Sequence, residues 1–130
     1  MPQQDRPRPL AAPRGRASRR EAPTGQWVVD VGWVVHRCSE VTRMVPLAVA
    51  EAALDRVAAD GAVRPDGSLD ESRVRGLRSH HAVHGRFHVE LRGSRWELVW
   101  CPRGAAAQRL SLAGVAEHVG VRRWSRERAA

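Results

Sequence analysis

The most regular alternation of apolar and polar positions lies in residues 86–101, RFHVELRGSRWELVWC. A two-residue Gly93-Ser94 turn of type II′ would place Phe87 opposite Trp100 and pair the rest of the two segments in one register. Because side chains alternate across a strand, one face of this pairing is apolar and the other is charged. The sequence therefore predicts a β-hairpin over 86–101, whose charged face carries Arg86, His88, Glu90, Arg92, Arg95 and Glu97.

Residues 27–37, WVVDVGWVVHR, are rich in the β-branched and aromatic residues that favour strands. Every second residue from Trp27 to Val35 is apolar, so the pattern predicts one strand with a single core-facing side. This strand and the hairpin would form a small antiparallel sheet. Residues 107–111 are expected to add a further strand or to lead into a helix.

Helical spacing follows the first strand. Pro46 suits the first turn of a helix, and Gly61 suits its end. Ser68 and Glu71 have the spacing of a capping box, which predicts a second helix over about 69–79. Ser111 could cap a third helix, with its apolar side formed by Leu112, Val115, Ala116 and Val119 and its end at Gly120.

These elements predict an α+β fold: an antiparallel sheet of strand 27–37, hairpin 86–101 and a further strand at 107–111, with two or three helices packed on one face. A chain of 130 residues has room for one such domain. Residues 1–25, which contain five prolines and six arginines, are predicted to be a disordered arm. Residues 26–120 would form the α+β domain, and 121–130 a basic tail or short helix.

The net charge of +8 is concentrated near the two ends of the chain. Residues 1–25 hold six arginines against two acids and residues 121–130 four against one, whereas 26–120 hold twelve against eleven. Arginine-rich arms favour phosphate backbones, because each neutralised phosphate releases counterions. DNA or RNA is therefore the expected partner, bound by a non-enzymatic, regulatory protein. The chain has no lysine and no tyrosine, which excludes Schiff-base and P-loop lysine chemistry.

Cys38 and Cys101 are isolated in the sequence, with no CxxC pair. No apolar run approaches the roughly 20 residues of a membrane span, and no signal peptide is recognisable at the N-terminus. We therefore expect a cytoplasmic protein with reduced thiols and no membrane partner.

Residues 111–128 resemble a helix-turn-helix signature, with small Ala116 where two helices would cross and Gly120 at the turn. The resemblance implies that the second helix would face DNA. The alternative is an ordinary C-terminal amphipathic helix. Together with the arginine-rich helix at 69–79, this segment supplies the predicted nucleic-acid-binding residues: Arg73, Arg75, Arg78, Arg122, Arg123, Arg126 and Arg128.

The charged face of the hairpin is the candidate catalytic site. Glu90 opposite Glu97 would raise the pKa of one carboxyl, and His88 lies near for acid-base chemistry. Arg86 and Arg95 could hold an anionic group. The alternative is a solvated surface of ion pairs. His80 and His84 have a spacing that can bind zinc on a helix, but no full ligand set accompanies them, so no metal or cofactor is expected.

The predicted order of strand, two helices, hairpin, further strand and basic C-terminal helix resembles the RelE/ParE family of small toxins. The resemblance covers residues 26–128 and implies action on mRNA through the charged hairpin face, as a metal-independent ribonuclease, or binding to gyrase. A third alternative is a protein-interaction module or homodimer. It rests on the unusual number of tryptophans in the predicted strands: Trp27, Trp33, Trp96 and Trp100.

Overall fold

The computed structural model describes residues 25–124, which form seven antiparallel strands in two sheets. The three-stranded sheet contains β1 (Gln26–Asp30), β2 (Trp33–Cys38) and β3 (Val41–Pro46), in that spatial order. The four-stranded sheet contains β4 (Leu77–Ala82), β5 (Gly85–Arg92), β6 (Arg95–Pro102) and β7 (Gln108–Ser111), also in chain order. The prediction of one small sheet with two or three helices on one face is therefore wrong, because strands dominate the fold.

One helix follows each of the two sheets in the chain. The helix α1 (Leu47–Ala58) follows β3, and α2 (Leu112–Val115) follows β7. A π-helical turn, Ala116–Gly120, extends α2, and the chain stays helical through 124. We call residues 112–124 the C-terminal helical segment. Within the described part of the chain, no helix combines the length and the hydropathy that crossing a bilayer requires.

The hairpin predicted over 86–101 is confirmed in its full register. Phe87 pairs with Trp100, Glu90 pairs with Glu97, and every intervening pair follows the same register. Gly93 has a φ of +63°, while Ser94 does not enter the left-handed region, which is the pattern of a type II′ turn. The apolar side chains of this hairpin pack into the core as expected, except Leu91, which is 55% exposed beside the turn.

The single strand predicted over 27–37 is wrong, because the chain reverses at Val31-Gly32 and forms the β1–β2 hairpin. The reversal changes which side chains share a face. Trp27 and Val29 face the core together with Val34 and His36, while Trp33 and Val35 point to the opposite side. A strand pattern cannot reveal this, because a two-residue turn inverts the face of the residues that follow it.

The second predicted helix, 69–79, is also wrong. Ser68 does not form a capping box; its Oγ donates a hydrogen bond to Asp66 Oδ1 over 2.7 Å. The Asp70 carboxylate instead caps a single 3-10 turn, Glu71–Arg73, and Val74 is the one buried side chain among residues 70–76. The chain then enters β4, where pairing with β5 orders residues that have too few apolar side chains to hold a helix against the core.

The helix after Pro46 is confirmed. Pro46 occupies the N-cap of α1 with a φ of −59°, and Gly61 adopts a φ of +78° beyond the C-terminus. One side of α1 is buried against β2, β3, β5 and β6. The shared core of both sheets is therefore built around this helix, whose buried residues are Val49, Ala50, Ala53, Leu54 and Val57.

The third predicted helix is confirmed at its start, where Ser111 Oγ accepts a hydrogen bond from Gly114 N over 3.2 Å. Its expected end at Gly120 is wrong, because the helical segment continues to residue 124. Gly120 serves close packing instead: a Cβ there would lie 3.2 Å from the Cα of Gly67. The turn on which the helix-turn-helix resemblance rests is therefore absent at Gly120, and residues 125–128 lie outside the described part.

The two sheets meet where β3 runs beside β7. Met44 N donates to Gln108 Oε1 over 3.3 Å, and Arg43 Nη1 donates to the carbonyl oxygen of Arg109 over 3.4 Å. The C-terminal helical segment packs on β6 and β7 and reaches β1. There Trp27 is stacked between the rings of His36 and His118, at centroid distances of 4.3 and 5.0 Å.

Substitution of Gly114 by alanine tests this packing. A Cβ at Gly114 would lie 2.2 Å from Trp27 Cζ2, and the stacked Trp27 ring has little room to move. We expect G114A to lower the free energy of unfolding by about 1–3 kcal/mol, whereas an unobstructed helical Gly-to-Ala change stabilises by about 1 kcal/mol. Urea unfolding measures the difference. The control is G76A, whose Cβ would meet nothing closer than 3.9 Å; equal stability of the two variants would contradict the close contact.

Candidate functional site

The arginines predicted to bind nucleic acid lie in several settings. Arg123 Nη2 contacts Asp55 Oδ1 over 2.7 Å with its side chain only 15% exposed, so it joins the C-terminal helical segment to α1. Arg73 lies 3.6 Å from an Asp70 oxygen. Arg75 and Arg122 are exposed, as is Arg78 on the edge strand β4. Arg126 and Arg128 lie outside the described residues.

Charge is separated within the folded domain, although its sum is nearly neutral. Residues 25–72 hold eight acids against four arginines, whereas residues 73–109 hold eight arginines against two glutamates. Six of the acids fall within 51–71, on α1 and the loop after it. A polyanion approaching Arg73 and Arg123 would meet these carboxylates. The helix side is therefore a poor place for a phosphate backbone, and the four-stranded sheet is a better one.

The side of the four-stranded sheet that points away from the helices is its basic face. The strand register places Arg86 beside Cys101, Arg92 beside Arg95, and Arg109 beside Val99. Arg103 lies at the same end as Arg86, with which it lines a small cavity of about 200 Å³. We define the basic face as Arg86, His88, Glu90, Arg92, Arg95, Glu97, Arg103 and Arg109.

An ion network occupies the middle of the basic face. Glu90 and Glu97 are direct cross-strand partners, an arrangement that is unfavourable for two like charges. Arg109 resolves it: its Nη1 donates to Glu90 Oε2 over 2.7 Å and to Glu97 Oε1 over 3.0 Å. His88 Nε2 lies 2.8 Å from Glu90 Oε1. Beneath the network, Val99 is only 1% exposed, so the charged side chains also shield an apolar residue.

The expected raised pKa of a hairpin glutamate is not found at Glu90. The Arg109 hydrogen bond, followed by the His88 hydrogen bond, lowers the pKa of Glu90 below its ordinary value of 4.5. The same bonds to Glu90 and Glu97 raise the pKa of Arg109. Glu90 is therefore ionised at neutral pH and only accepts hydrogen bonds, which removes it as a general acid. Because a carboxylate cannot donate, the His88 Nε2 carries the shared proton.

The two ends of the basic face differ from its middle, because their arginines are not neutralised. Within residues 25–124, Arg95 and Arg103 form no ion pair, and Arg86 donates only to Ser79 Oγ, over 3.0 Å. Arg92 lies 3.9 Å from Glu97 with its side chain 65% exposed, a weak pair in water. Strand geometry separates Arg86 from Arg92 by about 20 Å. Four solvated positive charges thus flank a centre in which Arg109 is paired with Glu90 and Glu97.

A groove continues the basic face towards the three-stranded sheet. It has a volume of about 430 Å³ and runs along the junction of β3 and β7. Arg43, Arg92 and Arg109 line it together with the half-buried Cys38. The groove extends the positive surface beyond the hairpin itself.

The histidines of residues 80–88 do not converge. His80 faces the core, where its ring lies 5.6 Å from that of Phe87, and desolvation lowers its pKa from 6.5. His81 is on the opposite face of β4, and His84 lies in the β4–β5 turn with a φ of +72°. Among the described residues, no three His, Cys, Asp or Glu side chains come together in a way that could hold a metal ion.

The sequence did not lead us to assign two residues to this site, Arg109 and Arg103. Arg109 lies in the strand expected at 107–111, and Arg103 lies between the hairpin and that strand. The alternation of Gln108, Arg109 and Leu110 carried a signal, since a strand paired with β6 must place Arg109 on the side of Glu97. That signal needed the pairing partner of β7, which the sequence did not indicate.

Comparison with known proteins finds no matching family model, no matching curated protein and no matching solved structure.

Substitution of Arg109 by methionine tests the network. Without this bridging cation the side chains of Glu90 and Glu97 would face each other directly across the two strands at neutral pH, so the free energy of unfolding should fall. Because the pKa of Glu90 is lowered in the folded state, its stabilising contribution is present above the unfolded pKa of 4.5 and disappears as pH falls through the folded value. The difference between wild type and R109M should therefore shrink on acidification.

Urea unfolding at neutral pH and near pH 3 measures this effect. The matched control is R92Q, which removes an exposed arginine 3.9 Å from the same Glu97 and should cost about 0–1 kcal/mol. If R109M kept the pH dependence of the wild-type protein, Arg109 would not be the residue that holds Glu90 ionised.

Proposed function

We propose that this protein binds the phosphate backbone of nucleic acid through the basic face of its four-stranded sheet. The observation that carries the proposal is the set of four exposed arginines on this face, Arg86, Arg92, Arg95 and Arg103, whose charge the domain does not neutralise. Arginine binds phosphate in a planar, two-pronged geometry and releases counterions when it does so.

The ion network at the centre of the face supports binding without catalysis. Arg109 bridges Glu90 and Glu97, so these three side chains hold neighbouring strands together, and Glu90, as a carboxylate, has no proton to donate. The ribonuclease alternative suggested by the RelE/ParE resemblance then depends on His88 alone. In addition, the order of elements behind that resemblance differs from the fold, which has one helix and two further strands where two helices were expected.

The composition of the basic face favours a duplex over a single strand. Proteins that bind single strands combine positive charge with aromatic side chains on which bases stack. Here Trp96 and Trp100 of the hairpin lie on its other, core-facing side, and the strand positions of the basic face hold no tryptophan, phenylalanine or tyrosine. Contacts to phosphates alone carry no base information. We therefore infer sequence-independent binding to duplex DNA or RNA, with the six arginines of residues 1–25 adding affinity.

Salt dependence of binding tests the proposal. Each arginine that contacts a phosphate contributes about −0.9 to the slope of log affinity against log salt on a duplex. We expect R86Q, R92Q, R95Q and R103Q each to flatten the slope by about that amount on any sequence, and the fourfold variant by about 3–4. Fluorescence anisotropy with labelled duplexes and single strands of equal phosphate number measures the slopes.

The matched control is R56Q, which removes an exposed arginine from α1 on the acidic side of the domain. It should leave the slope unchanged. A fourfold variant with the wild-type slope would assign all binding to the terminal arginines and would refute a role for the basic face.

A further inference from the structure

The outer side of the three-stranded sheet is an exposed apolar surface that nucleic-acid binding does not explain. Strand register arranges it as three rows that cross β1, β2 and β3. The middle row is fully apolar, and the row beside the β1–β2 turn is mostly so. We call this surface the apolar face; its rows are Asp30, Trp33 and Pro46, then Val28, Val35 and Met44, then Gln26, Arg37 and Thr42.

The apolar face is open to solvent. Trp33 is 43% exposed and Met44 37% exposed, and Val31 in the adjoining turn is 92% exposed. These residues line a shallow depression of about 450 Å³ together with Val28 and Val35. Large side chains gathered in this way on a solvent-facing sheet are typical of an interaction surface.

The charges at its two ends decide what fits there. Asp30 lies in the first row on β1, and Arg37 lies in the third row on β2, so they sit at diagonally opposite ends of the central Val28–Val35 pair. Strand geometry places them about 14 Å apart, beyond the range of an ion pair within one chain. A second copy turned over onto this face by a two-fold axis would bring Arg37 onto Asp30, and the reverse, in two equivalent contacts.

The packing angle that follows is one that sheets adopt. The two-fold axis is fixed by the requirement that Arg37 of each copy meets Asp30 of the other. With strands about 4.8 Å apart and a rise of about 3.3 Å per residue, the strands of the two copies then cross at about 40°. Sheets that pack face to face in sandwiches cross at about 30°. Charge pairing and apolar burial are thus satisfied by one arrangement.

We propose that the apolar face is the interface of a symmetric homodimer, centred on Val28 and Val35, with Trp33 as its main apolar contact and two Asp30–Arg37 ion pairs at its ends. Three short strands offer a few hundred Å² per subunit, less than the roughly 800 Å² of a standard interface. The dimer should therefore be reversible, with a dissociation constant in the micromolar range. It does not depend on nucleic-acid binding, because the basic face belongs to the other sheet.

Sedimentation of the full chain over a range of concentrations tests the dimer. We expect a monomer–dimer equilibrium that W33T weakens at least tenfold, since threonine keeps the strand propensity but removes the apolar ring. The matched control is V83T, at a residue 75% exposed in the β4–β5 turn of the other sheet, which should leave the dissociation constant unchanged. A monomer at every concentration would overturn the proposal and leave a different protein as the occupant of the face. A dimer that W33T does not weaken would also overturn it.

Charge reversal tests the pairing of Asp30 with Arg37. D30R and R37D alone should each abolish the dimer, because both ion pairs become repulsive. An equimolar mixture of the two variants should form a heterodimer, in which both contacts are attractive again, and the double variant D30R/R37D should form a homodimer. Asp30 also accepts a hydrogen bond from Val31 N, but a weakened turn could not produce this recovery. If neither the mixture nor the double variant associates, the proposed arrangement is wrong.

Discussion

Two-residue turns constrain this fold more than any other feature. The β1–β2, β2–β3, β4–β5 and β5–β6 connections each span two residues, and each includes one residue with a positive φ: Gly32, Ser39, His84 and Gly93. Such a turn forces its flanking residues to share a face, so each turn determines which side chains of the next strand are buried. The turns thus decide which side chains form the core, the basic face and the apolar face.

The turns also explain why the outer sides of the two sheets differ in chemistry. In the hairpin of β5 and β6, apolar residues fall on the helix side, so the charged residues are left to face solvent and Arg109 is needed to separate Glu90 from Glu97. In the three-stranded sheet, the reversal at Gly32 sends Trp33 and Val35 outward while Val34 enters the core. That sheet therefore carries apolar residues on both of its sides.

The two faces belong to different sheets, so one can be occupied while the other stays accessible. A dimer formed through the apolar face would carry two basic faces, together with both sets of terminal arginines. Linking two weak phosphate-binding surfaces raises affinity without any new contact, provided that one duplex can reach both. A domain whose basic face has four arginines outside its ion network gains most from such doubling. Self-association would in this way strengthen binding to the nucleic-acid backbone.

Local patterns alone determined several elements of this protein. Residues 86–101 carry their register in their own alternation, Pro46 starts a helix because it needs no N–H donor there, and Ser111 caps the next one. Each depends on contacts between residues that are close in sequence. The sequence also placed Arg86 and Arg95 on the charged hairpin face, as candidate catalytic residues and not among the predicted nucleic-acid-binding ones. The alternation in residues 27–37 was equally regular, but the single strand that it predicted is wrong. A turn at Val31-Gly32 leaves the pattern of residue types unchanged, so the pattern could not reveal it.

Only the tertiary structure decided the rest. Residues 77–79, at the end of the predicted helix 69–79, belong to the edge strand β4 because β5 offered an unpaired edge, although the sequence has the spacing of a capping box. Arg109 entered the site, and the pKa of Glu90 fell instead of rising, because β7 pairs with β6. Arg123, which was predicted to bind phosphate, instead forms an ion pair with Asp55, a residue 68 positions earlier. In each case the deciding contact is made with another element of the fold, and the residue pattern of the segment itself does not contain it.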